Sequence, residues 1–127
     1  MVTKIELRGY DEFKSYADAL DSKGPKAIFY FTGSKMSNGM SWCPDCIDAE
    51  PIVRNFMNQV KKDVIFGIVE VGDSKTWADY SCPFRTDPNL SLLVIPAIVV
   101  WKGVQRLEGS QCVQTDLLQM LLEDEEP

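Results

Sequence analysis

The first third of this chain combines apolar runs of strand length with one stretch of helical spacing. Residues 4–8 alternate polar and apolar side chains, which predicts a short strand with one solvent-facing side. Residues 27–31 are continuously apolar, as expected for a strand covered on both faces. Between these strands, Gly24-Pro25 is expected to end a helix. The apolar face of that helix has the i, i+3, i+4, i+7 spacing, with Phe13, Tyr16, Ala17 and Leu20.

The middle of the chain predicts a loop, a long helix and a second buried strand. Residues 32–41 are rich in glycine, serine and asparagine, which is typical of a loop. An amphipathic helix is expected from about residue 43 to residue 62, and Pro51 inside it should kink it. Residues 64–71 again form an apolar run of strand length.

The last third predicts a hairpin and a closing helix after an irregular segment. Residues 72–89 have no clear periodicity and could hold a short helix around Trp77. Residues 97–101 form an apolar strand, which a turn joins to a hairpin partner at 104–108. A final helix is expected, with Thr115 as its N-terminal cap. Its apolar face consists of Leu117, Leu118, Leu121 and Leu122.

The order of these elements predicts the fold class. The early alternation of strands and helices implies right-handed crossovers and a parallel sheet, and the late hairpin adds antiparallel strands. We therefore expect a three-layer α/β fold, with a mixed central sheet of about five strands and helices on both faces. At 127 residues the chain can build one core and not two, so a single domain over residues 1–127 is expected.

Composition and charge exclude several classes of protein. With 45% hydrophobic and 25% charged residues, the chain is ordinary for a globular protein. A net charge of −6 would repel a phosphate backbone, so no nucleic-acid partner is expected. The N-terminus lacks a signal-peptide pattern, and the most apolar stretch, residues 90–101, is too short to span a bilayer. We expect a cytoplasmic protein without membrane contact, and a solvated, frayed acidic end at residues 123–126.

Four cysteines and no histidine limit the candidate chemistry. Without histidine, Ser-His, Cys-His and histidine–metal mechanisms are excluded. In a reducing compartment, a framework of structural disulfides is not expected. Cys82 and Cys112 each stand alone in the sequence, so both are interpreted as inert free thiols, with Cys82 exposed in a polar loop.

The motif Cys43-Pro44-Asp45-Cys46 carries the chemistry. At the start of a helix, unpaired N–H groups and the positive end of the dipole stabilise a thiolate. The pKa of Cys43 is therefore expected below that of a free cysteine. Pro44 fits the first turn because it has no N–H to lose there. Cys46 lies on the same face, can close a disulfide with Cys43, and is expected to be the more buried of the two.

The competing interpretation of this motif is half of a zinc site. Zinc needs four ligands, usually in two pairs, whereas Cys82 and Cys112 are far apart in sequence and no histidine can complete the set. No metal is therefore expected. Asp45 is expected to tune the redox couple instead, because its charge opposes a thiolate at Cys43 and makes the reduced form less stable.

A Trp-Cys-Pro-Asp-Cys block at residues 42–46 follows an apolar strand and opens a helix that contains a proline. This arrangement resembles the thioredoxin superfamily. Ile95-Pro96, before the strand at 97–101, is similar to the cis-proline position of that family. The resemblance covers nearly the whole chain and implies a thioredoxin-like form of the three-layer fold.

The resemblance implies a monomeric, cytosolic protein-disulfide reductase without a bound cofactor. NADPH would recharge it through thioredoxin reductase. Its substrates would be disulfide-containing proteins and small disulfides, and it would contribute to redox regulation and peroxide removal.

The resemblance also assigns roles to residues of this chain. Cys43 becomes the nucleophile and Cys46 the resolving thiol, with a reversible disulfide between them. Pro44 and Asp45 become the residues that tune the redox potential. The substrate would contact three further residues, of which the Ile95 backbone would pair with an extended substrate strand. These residues are Trp42, Ile95 and Pro96.

Ordinary thioredoxin has a buried aspartate in the strand before the active site, and a lysine that partners it. Here residues 29–31 contain no acid and residues 67–69 contain no lysine. The proton acceptor for the resolving thiol is therefore open between several groups: Asp45, Asp48, Glu50 and a water molecule.

A second departure is the insertion at residues 34–41, which is expected to lie beside the dithiol. Together with the long segment at 72–89, it predicts a reshaped substrate surface and narrower protein substrates than those of thioredoxin.

Two other functions compete with the reductase. One is a thioredoxin-like module that binds partners or senses redox state with little turnover. The other is a glutathione-dependent glutaredoxin, which Trp42 and Asp45 do not suit, and no Gly-Gly pair follows the strand after Pro96. Steady NADPH consumption with thioredoxin reductase would favour the reductase over the binding module.

Overall fold

Five strands form one mixed sheet in the computed structural model, which describes residues 1–123. The strands are β1 (Val2–Arg8), β2 (Lys26–Thr32), β3 (Val64–Glu70), β4 (Ala97–Val100) and β5 (Arg106–Glu108). The helices are α1 (Tyr10–Asp18), α2 (Pro44–Asn58), α3 (Ser74–Ala78), α4 (Pro83–Thr86) and α5 (Thr115–Leu122), with a 3₁₀ turn at Gly109–Val113. The strands lie side by side in the order β1-β3-β2-β4-β5.

The central strand, β2, runs parallel to β3 and antiparallel to β4. β1 runs parallel to β3, and β5 runs antiparallel to β4. At the carboxyl end of β2, Phe31 pairs with Ala97, the first residue of β4. The predicted α/β fold is confirmed: the five-stranded sheet is mixed, and its helices are divided between both faces.

Alternate residues of β2 supply the two apolar layers of the protein. Phe29 and Phe31 lie in the layer that holds Phe13 of α1, whereas Tyr30 lies in the opposite layer with α2 and α5. The fully buried Phe13 ring is at the centre of the first layer. Its centroid lies 5.1 Å from that of Phe29 and 5.4 Å from those of Phe31 and Trp101.

The helix ends differ from the predicted ones in three places. α1 ends at Asp18 instead of at Gly24-Pro25, because the next two amides bond to carbonyls three residues back and tighten the chain into a turn. α2 ends at Asn58, short of residue 62. Thr115 is the first residue of α5 and not its cap; Gln114 precedes it and gives no side-chain capping bond.

The segment at 72–89 holds two short helices, of which α3 around Trp77 was expected and α4 was not. The prediction of an exposed Cys82 is wrong. This residue lies directly before α4 and is buried in the same apolar layer as Phe84.

Among residues 1–123, no helix has both the length and the apolar character needed to cross a bilayer. Of the acidic end expected at 123–126, all residues after 123 lie outside the described part of the chain.

Candidate active site

Cys43 lies at the point where the loop after β2 enters α2. It is the N-cap residue of the helix, and Pro44 is the first helical residue, as its missing N–H permits. The backbone N–H of Cys46 donates to Cys43 Sγ over 3.2 Å. Once the cysteine is reduced, this amide and the helix dipole favour a negative charge on the sulfur.

Cys43 and Cys46 are joined by a disulfide bond, as predicted from their spacing. Cys46 is the more buried of the two, with 1% of its surface exposed against 6% for Cys43. Pro44 and Asp45, between them, are exposed. An approaching molecule therefore meets Cys43 and the exposed turn first, and Cys46 lies behind them.

Tyr30 lies beneath the first turn of α2. Its buried hydroxyl donates to the carbonyl oxygen of Cys46 over 3.2 Å. Burial raises the pKa of Tyr30 well above its usual value, and nearby Cys112 and Glu50 raise it further, so the phenol stays protonated at neutral pH. The sequence singled out Tyr30 only as part of a strand without an acid. A single hydroxyl-bearing side chain within the apolar run at residues 27–31 was the feature of the sequence that could have pointed to Tyr30.

The insertion loop at residues 34–41 forms a small closed turn. Lys35 and Ser41 pair as an isolated antiparallel bridge. The Met36 N–H donates to the Met40 carbonyl over 2.8 Å, and the Gly39 N–H donates back to the Met36 carbonyl over 2.9 Å. The buried hydroxyl of Ser41 then accepts from the Cys43 N–H over 3.1 Å, so the loop contacts the dithiol turn directly, where it was predicted to lie.

Gly72 fastens this loop to the end of β3. Its carbonyl accepts the Ser34 N–H over 2.9 Å and the indole N–H of Trp42 over 2.8 Å, and its own N–H donates to Ser34 Oγ over 2.9 Å. Gly72 has φ +114°, a conformation that side-chain-bearing residues rarely adopt. Trp42 is therefore held by a residue thirty positions away in sequence, which no local pattern could reveal.

Gly33 leaves the space that the Trp42 ring occupies. A Cβ at this position would lie 2.7 Å from Trp42 Cε2 and 2.9 Å from Ser41 Oγ. We expect Gly33→Ala to displace the indole and to lower the free energy of unfolding by about 1–3 kcal/mol, the usual range for overpacking. Urea denaturation measures this, with Ser37→Ala in the exposed part of the same loop as the control. Equal stability of the two variants would contradict the close packing.

Ile95 and Pro96 lie at the same end of the sheet as the dithiol. Because Ala97 pairs with Phe31, Pro96 lies next to the carboxyl end of β2, from which the loop leads to Cys43. The Ile95–Pro96 peptide bond is cis. The two preceding residues, Leu93 and Val94, are large apolar side chains exposed to solvent.

The two remaining cysteines are buried and free. Cys112 Sγ donates to the Pro96 carbonyl over 3.6 Å, and burial, followed by the charge of Glu108, raises its pKa to about 12. The Cys112 thiol is therefore poor as a nucleophile. Within residues 1–123, no three cysteine, aspartate or glutamate side chains are grouped so that they could hold a metal ion.

Comparison with known proteins identifies the family of this chain. Residues 6–124 match the family described as "Thioredoxin domain-containing protein 17-like, thioredoxin domain". The human protein named thioredoxin domain-containing protein 17 is 35% identical over 123 residues, which cover 96% of each chain.

Solved structures of thioredoxins share the fold. Oxidised thioredoxin O1 from Arabidopsis thaliana has a TM-score of 0.62 at 18% identity, covering 95% of this chain and 99% of that one. The reduced thioredoxin of Schistosoma mansoni has a TM-score of 0.60 at 17% identity, covering 94% and 95%. The chain thus belongs to the thioredoxin domain-containing protein 17-like family, within the thioredoxin superfamily.

Proposed function

We propose that this protein is a disulfide reductase that uses the Cys43/Cys46 dithiol. The observation that carries the proposal is the Cys43–Cys46 disulfide at the N-terminus of α2, where the Cys46 N–H donates to Cys43 Sγ. Such a site favours a thiolate on Cys43, the less buried cysteine, and keeps the second thiol within bonding distance.

The proposed reaction has two exchange steps. The Cys43 thiolate attacks one sulfur of a substrate disulfide; the substrate S–S bond breaks, a mixed disulfide forms, and the other substrate sulfur leaves and takes up a proton. The Cys46 thiolate then attacks Cys43 Sγ and releases the second substrate sulfur. Two electrons pass from the dithiol to the substrate, and the Cys43–Cys46 disulfide remains.

The substrate is proposed to lie across the end of the sheet next to the dithiol. Trp42 is directly before Cys43 in the chain, and Ile95 and Pro96 lie at the same end of the sheet, next to the carboxyl end of β2. An extended substrate backbone would pair with Ile95. The closed insertion loop beside the dithiol would restrict the protein substrates that fit.

Pro44 and Asp45 are proposed to set the redox potential, because both lie in the turn between the two sulfurs. We propose that the protein acts as a monomer in the cytoplasm. Thioredoxin reductase and NADPH would recharge the dithiol, and the substrates would include disulfide proteins and small disulfides, with peroxide removal and redox regulation as the outcome.

Coupled turnover tests this function. The oxidised protein is mixed with NADPH, thioredoxin reductase and a disulfide such as cystine or insulin, and NADPH oxidation is followed by absorbance. We expect steady oxidation that depends on both this protein and the disulfide. A single stoichiometric burst without turnover would favour the partner-binding or redox-sensing module instead.

A further inference from the structure

The resolving step of the proposed reaction needs a proton acceptor that the dithiol motif does not supply. Cys46 must lose its proton before it can attack the mixed disulfide. Only 1% of its surface is exposed, so bulk water has little access to the thiol. A group inside the protein is needed to accept the proton.

Helix geometry separates the three carboxylates of α2. Each residue turns by about 100°, so Glu50 lies about 40° around the axis from Cys46, whereas Asp45 lies about 100° and Asp48 about 160° away. Asp45 and Asp48 are exposed, and Glu50 is half-buried. Residues four apart on a helix are neighbours, and the later side chain leans back over the preceding turn. Of the three, Glu50 alone shares the face of Cys46.

The surroundings of Glu50 join it to the active site. A groove of about 160 Å³ runs between the insertion loop and α2, and Glu50 lines it together with Ser41, whose hydroxyl accepts the Cys43 N–H. On its other side, Glu50 Oε2 accepts from Arg54 Nε over 3.0 Å, which holds the carboxylate in place. Its charge also acts on the Tyr30 phenol.

Two buried hydroxyls lie on the face of β2 that is turned towards Cys46. Tyr30 donates to the Cys46 carbonyl, as described above. Thr32, two residues further along the strand and therefore on the same face, is 3% exposed. Its buried Oγ1 acts on the Tyr30 phenol, which lies on the same face of the strand, so the two neighbouring hydroxyls are placed to pass on a proton.

We propose that Glu50 accepts the proton of Cys46 during the resolving step, with the buried hydroxyls of β2 as the path between them. The inference rests on the proposed reductase function. The Cys46 S–H bond breaks and its proton moves to the Glu50 carboxylate. The Cys46 thiolate then attacks Cys43 Sγ, the mixed disulfide breaks, and the departing substrate thiolate becomes protonated.

The other titratable groups around this end of α2 are unsuited to this role. Tyr30 and Cys112 stay protonated at neutral pH because burial raises the pKa of both. Lys35 across the groove and Arg54 on the helix are cations. Glu6 of β1 approaches only the far side of Arg54. Glu70 of β3 pairs with Thr32 in the sheet, but its carboxylate forms an ion pair with Arg8 of β1 over 3.7 Å.

Glu50→Gln changes the rate of the resolving step in opposite directions for proton transfer and for a purely electrostatic effect. A negative neighbour opposes a thiolate, so if Glu50 were a spectator, Glu50→Gln would favour the Cys46 thiolate and speed the resolving step. If Glu50 accepts the proton, the same variant slows that step.

The experiment separates the two exchange steps with the aromatic disulfide dithiobis-nitrobenzoate. The fully reduced protein releases one coloured thiolate when Cys43 attacks and a second when Cys46 resolves the mixed disulfide, and stopped-flow absorbance follows both. For Glu50→Gln we expect an unchanged first phase and a second phase about tenfold slower at pH 7. Between pH ~6 and ~8 the wild-type second phase should change little, whereas that of the variant should rise about tenfold per pH unit, as expected for attack that depends on hydroxide.

Two matched variants act as controls. Asp48→Asn removes the same charge from the opposite side of α2, and Glu70→Gln removes the carboxylate of the β3 residue that pairs with Thr32, while Glu50 and its ion pair remain. Both should keep the wild-type second phase and its pH profile. The unchanged first phase in each variant shows that the site is folded.

The inference is overturned if Glu50→Gln leaves the second phase unchanged or speeds it, or if Glu70→Gln slows it equally. Failure of the reductase function has a different signature, since the wild type would then react in both phases but give no steady turnover with NADPH and thioredoxin reductase.

Discussion

Cys46→Ser is expected to end turnover and to leave Cys43 joined to its substrates. Cys43 is the helix N-cap residue and the less buried of the two cysteines, and its attack on a disulfide does not require the second thiol. Without Cys46, the mixed disulfide has no internal group to resolve it. The variant, incubated with oxidised cell extract and separated without reductant, should run as a set of covalent adducts that a reducing agent releases.

The control for this experiment is Cys43→Ser, which keeps the buried Cys46 and both remaining thiols. Cys112 is fully buried with its pKa raised to about 12, and no amide of α4 donates to the Cys82 sulfur, so this variant should form almost no adducts. Adducts at a similar level in Cys43→Ser would contradict the assignment of the nucleophile. Full steady turnover by Cys46→Ser would contradict the two-step mechanism.

Phe13→Ala is expected to have the largest effect on stability. The ring is fully buried and meets four aromatic rings edge-on or tilted at centroid distances up to 6.0 Å, those of Phe29, Phe31, Phe84 and Trp101. Truncation removes these contacts and leaves a cavity, at an expected loss of about 3–5 kcal/mol in the free energy of unfolding. Chemical denaturation of the wild type and the variant measures the difference.

Leu93→Ala is the matched control, because Leu93 is 73% exposed. Its free energy of unfolding should stay within about 0.5 kcal/mol of the wild type. A loss below about 1 kcal/mol for Phe13→Ala would show that the aromatic layer repacks around the missing ring.

The sheet, the helix that carries the dithiol and the dithiol itself could be predicted because their signals are local. The apolar run at 27–31 marks β2, and a cysteine before a proline marks the start of α2. The relative burial of the two cysteines also follows from helix geometry alone. Such features depend on residues only a few positions apart.

The contacts around the dithiol could not be predicted, since each joins residues that are distant in sequence. Tyr30 meets Cys46 across sixteen positions, and Trp42 meets Gly72 across thirty. Cys82 was placed wrongly for a similar reason. It lies in a loop segment without clear periodicity, but its environment is an apolar layer built largely from distant elements.

The attachment of the insertion loop to Gly72 has a consequence for binding entropy. The loop closes on itself and is tied to the end of β3, so folding already restricts its backbone. A substrate that binds there needs to immobilise only side chains, at about 0.5–1.5 kcal/mol for each flexible one. We expect the loop to discriminate by shape, because a fixed backbone cannot adapt to a poorly matching surface.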